Sequence, residues 1–146
     1  MTIYKHILFA ADLTSQSLPL CQHAVEIAKV HKAKLSIVHV VEPIGAYVGG
    51  WYYWGDLAHD PEKQAEDHLA TYTKNFNIPE EDLYISTGNT KHVILELAEE
   101  LKVDLIIVGS HGAKGLSSLL GSTASSILND AKCDVLTLPY RRYVKK

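Results

Sequence analysis

Hydrophobic residues follow two alternating patterns along this chain. Five short apolar runs rich in β-branched residues have the length of β-strands, and they cover residues 7–11, 35–41, 83–86, 104–108 and 135–138. Between them, longer stretches repeat apolar residues at steps of three or four, as the buried face of a helix does. These helical stripes cover residues 18–28, 65–76, 93–101 and 124–131. The pattern therefore predicts the element order β-α-β-α-β-α-β-α-β.

Strands that alternate with helices of this length imply crossover connections and a parallel sheet. We therefore predict a doubly wound, Rossmann-like α/β fold, an open five-stranded parallel sheet with helices on both faces. Residues 103–108 are almost continuously apolar, as in a strand covered on both sides, whereas Pro139 after the fifth strand suits a sheet edge. The length of 146 residues is typical of one domain, so we expect a single domain over residues 1–146.

Composition narrows the class of protein. With 47% hydrophobic residues, 21% charged residues and a formal net charge of -3, the chain is unsuited to general electrostatic binding of nucleic acid or anionic membranes. It has no apolar run of membrane-spanning length and no signal-peptide pattern, and Cys21 and Cys133 match neither a disulfide framework nor a zinc site. We expect a cytoplasmic protein with no nucleic-acid or membrane partner. Its terminal basic cluster is interpreted as a solvated end formed by Arg141, Arg142, Lys145 and Lys146.

A glycine-rich segment follows the fourth predicted strand, running from Gly109 to Thr123. Glycines let backbone N–H groups turn toward a phosphate, and the start of the next helix adds partial positive charge, so the segment is a candidate anion cradle. The alternative is an ordinary loop in which Ser122 only caps the helix. The chain contains neither the P-loop fingerprint nor the glycine fingerprint of dinucleotide-binding folds.

Several motifs together resemble the universal stress protein family, and they keep its motif order over essentially the whole chain. They are YKHILFAADLT at residues 4–14, IVHV at 37–40, DLIIVGSHG at 104–112, LGST at 120–123 and CDVL at 133–136. Some members of that family bind ATP or AMP through the signature G-x2-G-x9-G-[ST]. This chain keeps Gly109, Gly112, Gly121 and Ser122, but it has eight residues, 113–120, where the signature has nine.

The resemblance implies nucleotide contacts at strand ends and at the start of one helix. Carried over position by position, they are Ala11, Asp12, Val40, Val108, Gly109, His111, Gly112, Gly121, Ser122 and Thr123. In this scheme Asp12 contacts the ribose or adenine, the backbone near Val40 meets the adenine edge, and the last three residues hold phosphates. A carboxylate also suits a pair of hydroxyls on chemical grounds, because it accepts more than one hydrogen bond. The alternative for Asp12 is a cap for the helix that begins near residues 15–17.

Other constellations point to no further chemistry. None of the eight histidines has a second histidine four residues away, so a zinc site is not expected, and no serine-histidine-acid arrangement suggests a hydrolase triad. His111 lies inside the glycine segment, where it either donates to a phosphate or faces solvent. The aromatic run at residues 51–54 forms either a lid or partner surface, or a cluster that packs on the protein itself.

The family resemblance completes the functional expectation. It implies a stress-response sensor or regulator that binds ATP or AMP, with Mg²⁺ left open as an accompanying ion. Two alternatives are a slow ATP hydrolase and a nucleotide-free dimeric interaction module. Members of the family commonly dimerise through their last strands, which here implies a homodimer through Val135, Leu136, Thr137 and Leu138.

Overall fold

The computed structural model describes residues 3–43, 60–110 and 121–143. The strands in these ranges are β1 His6–Ala10, β2 Lys34–Val41, β3 Leu83–Thr87, β4 Leu105–Gly109 and β5 Asp134–Leu138. The helices are α1 Leu18–His31, α2 Pro61–Thr73, α3 Thr90–Glu100, α4 Ser122–Asp130 and α5 Tyr140–Tyr143, and short 3₁₀ turns span Ser15–Ser17 and Glu80–Asp82. Each strand predicted from the sequence lies within one residue of the observed bounds.

The helix ends follow local chemistry. The Asp60 carboxylate accepts hydrogen bonds from the backbone N–H groups of Glu62 and Lys63, and Pro61 begins α2. The Asn89 side chain accepts from the N–H of His92 and caps α3 in the same way. The short helix α5 was not predicted, because four residues are too few to produce a helical stripe.

All five strands are parallel and lie in the order β3-β2-β1-β4-β5. The chain winds outward from β1 to β2 and β3, then returns to the other side of β1 to form β4 and β5. Because parallel crossovers are right-handed, this reversal moves the later helices to the opposite face. The fold is therefore the predicted doubly wound α/β fold, and its winding reverses between β1 and β4.

The reversal divides the core into two layers. One layer packs α1 and α2 on the sheet, with Ile7, Phe9 and Ile107 pointing toward Cys21 and Leu69. The other layer packs α3 and α4 on the opposite face, around residues such as Leu8, Val38, Ile94, Ile106 and Ile127. Burial of Cys21 raises the pKa of its thiol to about 12, consistent with a structural rather than a reactive cysteine.

At the amino edge of the sheet, a closed hydrogen-bond network joins β1, β2 and the turn before β3. His6 Nδ1 donates to the carbonyl of Leu101 at 3.1 Å, and His6 Nε2 lies 2.8 Å from the hydroxyl of Ser36, which is fully buried. The Ser36 hydroxyl also lies 3.4 Å from the Asp82 carboxylate, and Lys34 Nζ lies 3.2 Å from that carboxylate. The polar side chains at this edge therefore satisfy one another.

Asp104 closes the same edge where β1 and β4 begin. Its carboxylate accepts hydrogen bonds from the backbone N–H groups of Lys5 at 2.9 Å and His6 at 3.1 Å. The backbone N–H of Asp104 donates in turn to the carbonyl of His6 at 3.0 Å. This reciprocal arrangement holds the amino ends of the two central strands together.

Candidate functional site

At the carboxyl edge of the sheet, β1 and β4 separate from each other. Their last paired residues are Phe9 and Ile107. Beyond this pair, the N–H of Ala11 bonds to β2 at 2.9 Å, whereas the N–H of Ser110 bonds to β5 at 2.9 Å. The two backbones thus follow different neighbours and leave a crevice between them. In open α/β sheets, ligands bind in this position, where the winding reverses.

Asp12 forms one side of this crevice. One oxygen of its carboxylate accepts hydrogen bonds from Thr14, at 3.0 Å from the backbone N–H and 2.9 Å from the hydroxyl. Leu13 between them has a φ of 63°, a left-handed conformation that turns the chain sharply after β1. Among the described residues, no hydrogen bond to the second carboxylate oxygen is found. Asp12 therefore keeps acceptor capacity at the crevice.

His39 on β2 fixes the backbone just before Asp12. Its Nδ1 lies 2.8 Å from the carbonyl oxygen of Ala11. A carbonyl only accepts hydrogen bonds, so Nδ1 carries the proton. The β1 corner is thus held from β2 through a side chain as well as through the sheet ladder.

The start of α4 forms the other side of the crevice. Gly121 is the N-cap residue, and the first bond of the helix runs from the N–H of Ser125 to the Gly121 carbonyl at 2.9 Å. The N–H groups of Ser122, Thr123 and Ala124 precede this ladder, and among the described residues no side chain caps the helix. Such free N–H groups and the helix dipole favour an anion.

Ser110 joins the separate parts of this edge, although it was not among the predicted site residues. Its carbonyl accepts from the N–H of Gly121, and its hydroxyl accepts from the N–H of Tyr140 at 3.2 Å. The residue is buried, with 9% of its surface exposed. Its position inside the glycine segment was the only sequence signal available.

Tyr140, the first residue of α5, is the second contributor missed from the sequence. Its hydroxyl donates to Gln16 Oε1 at 3.1 Å, in the turn that follows Asp12. Burial is the main cause that raises the pKa of Tyr140, and the nearby Asp12 charge raises it further. A side-chain hydrogen bond with Thr14 acts in the opposite direction and lowers this pKa. The side chain after β5 therefore reaches the Asp12 corner, which is more than 120 residues away in sequence.

The structure brings most of the predicted site residues to one edge. Ala11 and Asp12 follow β1, Val40 lies near the end of β2, and Val108 and Gly109 end β4. Gly121, Ser122 and Thr123 begin α4 next to them. His111, Gly112 and the aromatic run at residues 51–54 lie outside the described residues.

Two alternative interpretations from the sequence are wrong. Ser122 does not cap α4, because Gly121 occupies the N-cap position and Ser122 is already in the helix. Asp12 does not cap α1, whose N-cap residue is Ser17, and it accepts hydrogen bonds from Thr14 instead. Neither side chain is therefore accounted for by helix capping.

Residues 3–43, 60–110 and 121–143 contain neither a metal-ligand cluster nor a membrane-spanning helix. No group of three or more histidine, cysteine, aspartate or glutamate side chains is arranged to hold a metal ion there. None of the helices in these ranges is both long and apolar enough to cross a membrane. Cys21 and Cys133 are both unpaired.

The fold defines a doubly wound α/β protein, and the crevice lies at the point where its winding reverses. A sequence model described as the universal stress protein family matches residues 3–139. The chain belongs to the universal stress protein family. It is 40% identical over 138 residues to universal stress protein A homolog 1 of Coxiella burnetii, which covers 92% of this chain and 96% of the relative.

Solved structures agree with the family assignment. A universal stress protein from Lactobacillus plantarum superposes with a TM-score of 0.73 at 25% identity, covering 92% of this chain and 97% of that protein. A universal stress protein solved in complex with cAMP superposes with a TM-score of 0.64 at 25% identity, covering 94% of this chain and 98% of that protein. At least one protein with this fold therefore holds a cyclic adenine nucleotide.

Proposed function

We propose that this protein binds an adenine nucleotide at the carboxyl edge of its sheet and acts as a cytoplasmic stress-response sensor or regulator. The observation that carries the proposal is the separation of β1 and β4 after Phe9 and Ile107. It leaves a crevice with a carboxylate on one side and uncapped helix N–H groups on the other. A nucleoside phosphate is complementary to both, because its sugar hydroxyls donate hydrogen bonds and its phosphate accepts them.

The Asp12 side of the crevice suits the nucleoside. The carboxylate uses one oxygen for Thr14, so further acceptor capacity remains for ribose hydroxyls. The β2 backbone extends to Val41, past the last β1 residue of the sheet, so the peptide groups near Val40 are available to the edge of a base. This arrangement supports a role for Asp12 and Val40 in holding the nucleoside.

The α4 side of the crevice suits the phosphate. Three N–H groups precede the helix ladder, and the hydroxyls of Ser122 and Thr123 add two donors. Gly121 at the N-cap has no side chain to keep a phosphate away from these N–H groups. Gly109 and Gly112 belong to the proposed phosphate segment on the strength of the family signature, and His111 lies between them in the sequence.

The solved relative in complex with cAMP supports an adenine nucleotide as the ligand. Binding, rather than turnover, is the activity that these residues favour, because they supply hydrogen-bond donors and acceptors to a bound nucleotide. We therefore expect the bound nucleotide to report cellular state by changing the stability or contacts of the protein.

Calorimetric titration with ATP, ADP, AMP and cAMP, followed by a phosphate-release assay with ATP and Mg²⁺, tests this proposal. We expect saturable binding of at least one of the four ligands with no steady release of phosphate. Absence of binding to all four would refute the nucleotide site. Sustained phosphate release at saturating ATP would favour the slow-hydrolase alternative.

We also propose a homodimer through β5, which is an edge strand. The carbonyl of Leu138 bonds to Ser110 on the β4 side, so strand alternation points the N–H groups of Val135 and Thr137 outward. Among the described strands none pairs with this outward row, so a second copy can complete its hydrogen bonds.

The Thr137→Pro variant tests the dimer because it removes one outward N–H without removing a bond to β4. We expect a monomer mass by light scattering, whereas the matched Thr137→Ser control stays dimeric. A dimer mass for the proline variant would place the contact between copies elsewhere. Leu138 is unsuitable for this test, because it is 2% exposed and belongs to the core.

A further inference from the structure

Tyr140 is in contact with two parts of the proposed site that are far apart in sequence. Its backbone N–H donates to the Ser110 hydroxyl at 3.2 Å, next to the end of β4. Its own hydroxyl donates to Gln16 Oε1 at 3.1 Å, in the 3₁₀ turn that follows β1. The side chain is 9% exposed, so its position is determined by packing. One residue thus bridges the two strands that separate at the crevice.

Each end of this bridge is tied to a proposed ligand contact. Ser110 accepts at its carbonyl from the N–H of Gly121, at the start of α4. On the other side, Gln16 lies two residues after Thr14, whose N–H and hydroxyl both hold the Asp12 carboxylate. Asp12 also acts electrostatically on Tyr140, which agrees with their proximity.

We infer that Tyr140 is a positioning residue that sets Asp12 relative to the start of α4, and thereby favours ligands with ribose hydroxyls. The inference rests on the proposed nucleotide site and goes beyond it, because it assigns the segment after β5 to that site. Losing the Tyr140 hydroxyl removes one of the bonds that hold the turn containing Gln16, so Asp12 is positioned less closely, while the bonds of Ser17 to Thr14 and Tyr72 keep the turn folded. The contacts of the phosphate with α4 do not depend on that hydroxyl, so they are retained.

The test compares two ligands and two proteins by calorimetric titration. AMP has the ribose hydroxyls, whereas 2′,3′-dideoxy-AMP lacks them but keeps the base and the phosphate. We expect the Tyr140→Phe variant to bind AMP about three- to tenfold more weakly, as the loss of one positioned hydrogen bond allows. We expect its affinity for dideoxy-AMP to stay within about twofold of wild type, because Asp12 has no hydroxyl to hold in that ligand.

Two further variants keep the result interpretable. Gln16→Met replaces the acceptor of the Tyr140 hydroxyl with an apolar side chain of similar size. This variant should show the same selective loss of AMP affinity. Tyr143→Phe removes a hydroxyl from the same helix α5, where the centroid of the Tyr143 ring lies 4.9 Å from that of the His23 ring. This control should bind both ligands as wild type does.

The outcomes separate this inference from the proposed function. Wild-type protein that binds none of the adenine nucleotides would refute the proposed function and remove the basis of the inference. Wild-type binding of AMP with an unchanged Tyr140→Phe affinity would refute the inference alone. Equal weakening of AMP and dideoxy-AMP would also refute it, because the effect would then be general rather than transmitted through Asp12.

Discussion

The amino and carboxyl edges of this sheet use polar residues in opposite ways. At the amino edge, Ser36 lies within hydrogen-bond distance of both His6 and Asp82, and Asp104 holds the N–H groups where β1 begins. At the carboxyl edge, the same two strands separate, and polar groups on both sides point to a crevice. One edge of the sheet thus satisfies its own polar groups, whereas the other leaves polar groups for the ligand that we propose.

The contrast has a geometric cause. Both β1 and β4 have a neighbouring strand on each side, so those neighbours determine what happens beyond the last pair that β1 and β4 share. At the carboxyl edge, β1 continues its bonding to β2 while β4 continues its bonding to β5. At the amino edge, the Asp104 carboxylate bridges both strands instead. Substitutions at the two edges should therefore change different measured quantities.

The largest expected effect is at Gly121. In the Gly121→Val variant, a branched side chain occupies the space in front of the α4 N–H groups and blocks a phosphate. The Gly121 φ of -62° and ψ of 155° are open to valine, so the fold should persist. We expect adenine-nucleotide affinity to fall by more than about a hundredfold, since several charge-assisted bonds are lost.

Calorimetry measures this loss, and circular dichroism with a thermal melt checks that the fold is intact. Gly121→Ala is the matched control, with a smaller side chain and a smaller expected loss. If the Gly121→Val variant binds nucleotide as tightly as wild type does, the phosphate does not lie at this helix end.

The next effect belongs to the amino edge. Ser36→Ala removes the hydroxyl between His6 and Asp82, so His6 Nε2 loses its bond to Ser36, while Asp82 keeps its contact with Lys34. We expect the free energy of unfolding to fall by about 1–3 kcal/mol in urea denaturation. Nucleotide affinity should be unchanged, because the substituted residue is at the opposite end of the sheet. A loss of nucleotide affinity in folded Ser36→Ala protein would contradict the assignment of stability to the amino edge and of binding to the carboxyl edge.

A smaller effect is expected at Asp12, in affinity alone. Asp12→Asn keeps one oxygen to accept from Thr14 but removes the charged acceptor for ribose hydroxyls. We expect about tenfold weaker AMP binding. The free energy of unfolding should change by less than about 0.5 kcal/mol. If the variant loses stability but keeps its affinity, Asp12 has a structural role like that of the polar residues at the amino edge.

The smallest expected effect is a preference between ligands. The segment between Gly112 and Gly121 has eight residues where the family signature has nine, so we expect less room for the terminal phosphates. AMP should then bind about as well as ATP. A site that held all three phosphates would prefer ATP by more than about tenfold, since each charge-assisted contact contributes roughly 1.5–3 kcal/mol. A preference of that size in calorimetry would contradict the shortened-segment hypothesis.

Much of the fold was predictable because it depends on local periodicity. The run of residues 104–108 indicated a strand through its continuous apolar character, and Pro139 indicated an edge, which β5 is. The helical stripe at residues 93–101 indicated α3 through regular steps. Both signals arise from neighbouring residues, so they can be recognised without any knowledge of contacts between distant parts of the chain.

The candidate site was less predictable, because several of its contacts join residues that are distant in sequence. Asp12 and the start of α4 were identified through a family resemblance and their residue types, whereas the roles of Ser110 and Tyr140 were not. The bond between Ser110 and Tyr140 spans 30 residues, and the bond between Tyr140 and Gln16 spans 124. Neither residue has a pattern in its own neighbourhood that indicates such a partner.

The sequence by itself determined the class of elements, their order and the family, because these follow from the spacing of apolar residues and from short motifs. Only the tertiary structure decided where the winding reverses, and therefore that β1 and β4 separate at the carboxyl edge. It also decided that Asp12 and Ser122 are not helix caps. The reason is that strand order and hydrogen-bond partners depend on the packing of distant segments, which periodicity along the chain does not specify.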